Sequence, residues 1–277
     1  MNKYSERFND IAILQLDTQG FENLSEKQKN LTYYLAQAGL YGRFISLDQG
    51  SEYNIQLFDN LIGLYDKLEP SEPLHKEVHD SLFILFTHNG VYHSTSGEKL
   101  NLPLTLKALE AYEQKEPEKI DIIKEILFSE KIKNFRTVQT DGVDVVKESG
   151  GNFYNNLTAK EVEEFRQFNY PKVEGEQVPP FGFNEQLVKD DWGVISRGVI
   201  SENGLYGKYV KKIIANLISA LEFTENEQQH ESISTLIDFY KSGSAVDFDK
   251  HCVAWTQDRD SHIYFINGLI ESYEDHC

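Results

Sequence analysis

The sequence has 277 residues, enough for one large domain or two small ones, and its 40% hydrophobic and 26% charged residues are the balance of a soluble globular chain. A net charge of −18 argues against nucleic acid and anionic membrane surfaces as partners, since both demand lysine and arginine, and weakly favours cationic ligands such as a peptide's free amino terminus. Two cysteines, Cys252 and Cys277, are too few for a disulfide framework or a cysteine zinc site, no apolar run approaches the roughly 18–20 residues that span a bilayer, and residues 1–10 lack the order of a secretory signal, so a cytoplasmic setting is expected.

Ser25 followed by Gln28 reads as a capping box. Leu31, Tyr34, Leu35 and Ala38 then recur at helical spacing, which predicts a helix over 28–40 ended by Gly39 and Gly42. A second helix is expected over 53–67 with Ile55, Phe58, Ile62 and Tyr65 inward, and Pro73 is placed to open a third carrying Val78, Leu82, Phe83, Leu85 and Phe86. Shorter helices follow over 104–113 and 117–128. Asp141-Gly142, between β-favouring residues, predicts a hairpin over 138–147. Gly150-Gly151-Asn152 reads as a loop, and Thr158 with Glu161 caps a short helix.

The proline-rich stretch 170–183 reads as irregular. Strands over 183–188 and 194–200 are expected to pair across Asp190-Asp191-Trp192-Gly193. Helices return over 206–221, with Val210, Ile213, Ile214, Leu217 and Leu221 in register, and again after Thr224 and Glu227, ending at Gly243. Strand-like pieces are expected around Val253-Ala254-Trp255 and over 263–270. Gly-Leu-Tyr-Gly occurs at Gly39 and at Gly204, but the neighbouring residues differ and no repeat is indicated. The fold class is α+β, mainly helical with a small β-barrel-like or antiparallel sheet portion, roughly 1–135 helical and 136–277 mixed.

Catalytic signatures are scarce. The chain has no phosphate loop, no Gly-x-Ser-x-Gly elbow and no His-Glu-x-x-His pair. His75 and His79 would share a helix face, as two zinc ligands must, but Glu77 would project away from it, so a solvated face is expected. His230-Glu231 has no second histidine one turn on. The run His88-Asn89-Gly90-Val91-Tyr92-His93 fits a polar loop beside a pocket or a helix-ending turn. Trp255 with Asp258 and Asp260 fits a binding patch or a buried aromatic before a turn. On composition the closing Glu271-Ser272-Tyr273-Glu274-Asp275-His276-Cys277 is an acidic tail.

Two blocks resemble the dipeptidyl-peptidase III family, its bacterial branch in particular. The first covers 24–54, from Leu24-Ser25-Glu26 through Tyr33-Tyr34 and Gly39-Leu40-Tyr41-Gly42-Arg43 to Asp48-Gln49 and Tyr53-Asn54. The second begins at Glu148-Ser149-Gly150-Gly151-Asn152-Phe153-Tyr154 and passes Gly204-Leu205-Tyr206-Gly207, Glu225-Asn226-Glu227-Gln228-Gln229, Leu236 to Gly243 and Ala254-Trp255. It closes on Ile266-Asn267-Gly268-Leu269-Ile270-Glu271-Ser272-Tyr273. The resemblance implies a two-lobed zinc peptidase that releases dipeptides from the amino terminus of short peptides. It further implies that residues 1–277 are the lower, substrate-binding lobe of such an enzyme.

The metal would sit in the upper lobe, on a His-Glu-x-x-Gly-His helix and a further glutamate that this sequence lacks. No zinc is therefore expected on this chain, and it is expected not to be catalytic alone. Its implied partners are short peptides with a free amino terminus and the missing upper lobe. In the family the Glu and Tyr of the Glu-Ser-Tyr segment contact the substrate's amino end, which corresponds here to Glu271 and Tyr273 with Ser272 between them; Asn89 lies in a loop that matches one lining the cleft. The sequence departs from the family pattern at Glu274, His276 and Cys277, where an Asp-Pro turn is usual, and at Ser94-Thr95-Ser96-Gly97, where relatives carry bulkier residues. The chain's end just after an apolar segment suggests a fragment of a working peptidase; the alternative is a non-catalytic peptide-binding or interaction protein.

Overall fold

The computed structural model describes residues 4–8, 11–14, 16–169 and 184–267. An antiparallel hairpin, β1 (Tyr4–Phe8) and β2 (Ile11–Leu14), opens the chain. Helix α1 (Glu26–Gly50) starts at the expected capping box, in which Ser25 Oγ accepts from the Gln28 N–H and Gln28 Oε1 accepts from the Ser25 N–H at 2.9 Å. It continues past the predicted stop. A Cβ added at Gly39 or Gly42 would meet nothing within 4 Å, and a glycine inside a helix costs only about 1 kcal/mol, which packing outweighs.

Helix α2 (Asn54–Tyr65) buries Leu57, Phe58, Leu61 and Leu64, whereas Ile62, expected inward, is 37% exposed. Ile55 and Tyr65, also expected inward, pack half-buried against the same core, and the buried face extends to Leu57, Leu61 and Leu64, which spacing alone did not pick out. Helix α3 (Pro73–His88) carries Pro73 in its first turn, and α4 (Leu106–Tyr112) and α5 (Pro117–Leu127) follow as predicted.

The hairpin expected over 138–147 is absent. Gly142 turns the chain at φ 82°, and Asp144 caps a one-turn helix, α6 (Val145–Glu148), by accepting from the Val146 and Lys147 N–H groups at 3.1 Å each. The local cap prevailed over β propensity. Strand β3 (Tyr154–Asn155), helix α7 (Ala159–Asn169) and strands β4 (Glu185–Lys189) and β5 (Ile195–Val199) form the third region. At the start of α7, Thr158 and Glu161 cap each other as the sequence implies. The sheet order is β3-β4-β5, with β3 parallel and β5 antiparallel to β4, so the β portion is mixed and open rather than a closed barrel. The stretch 170–183 lies outside the described residues.

Helices α8 (Gly207–Leu221), α9 (Glu227–Ser242) and α10 (Ala245–Gln257) follow. The cap of α9 is Asn226, whose side chain accepts from the Gln229 N–H at 2.8 Å, and not Thr224; Gly243 ends the helix at φ 68°. Helix α10 replaces the strand expected around Val253. Phe248, His251 and Ala254, three residues apart, are buried, while Val253 is 57% exposed. Residues 258–267 are irregular, and the remainder of the predicted 263–270 strand lies outside the described residues.

Three cores result. One joins Leu47 of α1 to α2–α5, a second joins Leu31, Ala38 and Ile45 of α1 to α8–α10, and the third gathers Val146, Phe153, Tyr154, Leu157, Val162 and Leu187. Helix α1, about 37 Å long at 1.5 Å per residue, thus serves two of them. No helix among the described residues is long and apolar enough to cross a membrane.

Candidate functional site

Glu271, Ser272 and Tyr273 lie outside the described residues, but the segment leading to them is firmly laid down. Residues 258–267 run over α9 and α10, held by polar side chains. Glu225 accepts from the N–H groups of His262 at 2.7 Å and Ile263 at 2.9 Å, and from the Gln28 side chain of α1 at 2.7 Å. Burial pushes the Glu225 carboxyl up, but those hydrogen bonds more than offset it and hold the group below its ordinary value. Gln229 Nε2 donates to the Ile263 carbonyl, Trp255 Nε1 to the Phe265 carbonyl, and the Tyr240 hydroxyl to Asn267 Oδ1. Trp255 is therefore a half-buried anchor. Asp258 accepts from Ser261 Oγ at 2.7 Å, and Asp260 is exposed.

Asn89 terminates α3 in the left-handed region, at φ 55° and ψ 42°, and its amide donates to Ser46 Oγ of α1 at 3.3 Å. Its role in the structure is thus the helix-ending turn. Gly90 follows at φ 137°, where an added Cβ would sit 2.4 Å from the Asn54 amide nitrogen. Asn54 uses that amide on the Leu47 carbonyl and its Oδ1 on the Val91 N–H, locking the turn onto the end of α1. The His88 and His93 rings lie 4.5 Å apart, and their Nδ1 atoms accept backbone N–H groups from Ser94 and from Thr95 and Ser96 respectively. In the His75-Glu77-His79 run, His75 lies against the Tyr65 ring, and Glu77 accepts from the Thr105 N–H and Oγ at the start of α4. Among the described residues no group of three or more His, Cys, Asp or Glu side chains is placed to hold a metal ion.

Elsewhere the structure assembles a polar centre to which the sequence assigned no role. Asp48, near the end of α1, accepts from the Tyr206 hydroxyl at 2.5 Å and from the Asn152 amide at 2.9 Å. Asn152 Oδ1 in turn accepts from Gln186 at 2.7 Å and Asn155 at 3.0 Å, while its N–H donates to the Gln49 carbonyl. Burial raises the Asp48 carboxyl above its ordinary value, against the lowering effect of its two donors. Tyr206 itself stands at φ 61°, an uncommon conformation for a bulky residue, beside the start of α8.

Gly150 fits this centre because a Cβ there would lie 1.8 Å from Tyr92 Oη, and the Tyr92 hydroxyl reaches past it to the Lys133 carbonyl. The N–H groups of Gly150 and Gly151 close onto the Phe135 and Arg136 carbonyls. Beside the centre a cavity of about 610 Å³ opens, lined by Ser51, Glu52, Tyr53, Tyr92, the 149–157 loop and Lys131, Lys133 and Lys147. In the sequence the Gly-Gly-Asn run marks a place where backbone must approach something closely, and Asp48, Asn152 and Tyr206 all stand in the family-like blocks, with no role attached to them there.

A family model described as Peptidase family M49 matches residues 116–277. Two solved structures share the fold. That of DPP III from Caldithrix abyssi has a TM-score of 0.56 and 16% identity, covering 89% of this chain and 35% of its own. That of dipeptidyl-peptidase III from Corallococcus sp. strain EGB has a TM-score of 0.51 and 18% identity, covering 88% and 34%. This chain therefore spans about a third of the length of those structures. Among curated proteins none matches.

Proposed function

We propose, because this chain belongs to peptidase family M49, that it is the lower, peptide-gripping lobe of a dipeptidyl-peptidase III-type enzyme and does not cut peptides alone. The observation that carries this reading is the coverage: nearly all of this chain, 88–89%, corresponds to 34–35% of the solved dipeptidyl-peptidase III structures. Glu271 is the residue assigned to hold the substrate's terminal ammonium, Tyr273 and Ser272 to complete that wall, and Asn89 to place the loop at the cleft's edge. A carboxylate gripping an ammonium by a charge-assisted hydrogen bond measures the substrate from its amino end, as release of dipeptides requires. The anchoring of 258–267 by Glu225, Gln229, Tyr240 and Trp255 supports this by supplying a fixed base for the segment.

The family's zinc belongs to the remaining part of the enzyme in this reading. Among the described residues no three His, Cys, Asp or Glu side chains come together as a zinc site would require. The setting assigned is the cytoplasm.

Calorimetry with a tetrapeptide, free or amino-acetylated, tests the grip. A charge-assisted bond contributes about 1.5–3 kcal/mol, so acetylation or Glu271→Gln is expected to weaken binding roughly 10- to 100-fold. Equal binding of both peptides removes the assignment of Glu271, and binding of neither makes the chain an interaction module.

A further inference from the structure

We infer that the cavity between the first and third cores binds a small organic oxyanion, a molecule bearing carboxylate or phosphate. Its volume, about 610 Å³, lies within the roughly 300–1,000 Å³ of small-molecule sites. The chain as a whole carries 45 acidic against 27 basic side chains. The cavity reverses that balance, with three lysines and a single carboxylate, Glu52, in its walls.

The lysines are not equivalent. Lys131 is engaged, paired with Glu125 and lying 5.8 Å from the Tyr53 ring centre. Lys133 and Lys147 line the same cavity, are exposed, and form no ion pair among the described residues. Both stand on fixed backbone. The Lys133 carbonyl accepts from the Tyr92 hydroxyl, and the Lys147 N–H is capped by Asp144. Asn156, also in the wall, turns the backbone at φ 58°, a conformation asparagine tolerates, with its amide on the Lys189 carbonyl. Cations on a rigid rim with neutral amides and tyrosines behind them suit an oxyanion with a polar body.

The test is a titration of the 277-residue chain with glutarate, inorganic phosphate and the neutral glutaramide, followed by amide chemical shifts. Saturable shifts at 51–53 and 149–157 are expected with an anion and not with glutaramide. The stronger of glutarate and phosphate identifies the source chemistry. The double variant Lys133→Gln/Lys147→Gln, at exposed positions and checked for unchanged circular dichroism, should weaken binding at least about tenfold, and added salt should weaken binding of the parent. The remote variant Lys115→Gln should not. Shifts that are absent, scattered, equal for glutaramide or undiminished in the double variant overturn the proposal. None of the probes carries an ammonium, so the result stands or falls separately from the grip assigned to Glu271.

Discussion

Replacing Asp48 by alanine is expected to destabilise the protein by about 2–4 kcal/mol. The substitution leaves two donors without an acceptor, the Tyr206 hydroxyl and the Asn152 amide. Asn152 is buried and Tyr206 half-buried, so the stranded donors cost about 1–3 kcal/mol each, the hydroxyl at the lower end, and relief from desolvating a carboxylate returns part of the sum. Total stabilities of about 5–15 kcal/mol make that a large share. Asp48→Asn keeps one oxygen where both donors point and sheds the charge, so it should cost less than about 1 kcal/mol. Urea unfolding at neutral pH, followed by circular dichroism and by tryptophan fluorescence, measures both. An alanine variant within about 0.5 kcal/mol of the parent would show that the centre does not bind the cores together. An asparagine variant as damaging as alanine would show that charge, not hydrogen bonding, holds it. The pH dependence adds a check. Because burial raises the folded carboxyl, the folded state binds the proton more tightly, so stability falls as pH rises from the ordinary value through the raised one. Asp48→Asn should remove that fall.

Three further outcomes are expected. His251, buried beneath α9 with Nδ1 on the Ser232 carbonyl, is held below its ordinary value by burial; the unfolded chain takes up the proton first, so stability declines as pH drops below about 6.5, and His251→Phe should flatten that decline in pH-dependent thermal melts. Glu225 has the depressed value of a hydrogen-bonded carboxylate, so its contribution is present above the ordinary value near 4.3 and lost as pH falls through the lower folded one; Glu225→Ala should speed amide exchange at His262 and Ile263, and unchanged protection there would contradict the anchoring. Gly150→Ala should cost more than about 2 kcal/mol by driving a Cβ into Tyr92, and adding Tyr92→Ala should recover part of that loss, a non-additivity read by a double-mutant cycle.

The family grip and the polar centre differ in how they become visible. Glu271, Ser272, Tyr273 and Asn89 stand out because ordered sequence blocks resemble a known family; by composition alone the first three belong to an acidic tail. The Asp48 centre joins residues 104 and 158 positions apart, and no local pattern announces such pairings. Two glycines and an asparagine mark a tight approach, but not what is approached.

What the sequence determined by itself was set within a few residues. The capping boxes at Ser25 and Thr158, the proline opening α3, the Asp190 turn between β4 and β5 and the glycine ending α9 all depend on hydrogen bonds or backbone angles inside one turn. Tertiary structure decided the rest. It carried α1 through two glycines, extended the buried face of α2 and made α10 a helix where β-favouring residues suggested a strand. It also brought Asp48, Asn152 and Tyr206 together. Those choices rest on burying apolar faces and pairing buried polar groups across distant segments, energies that exist only once the elements are packed.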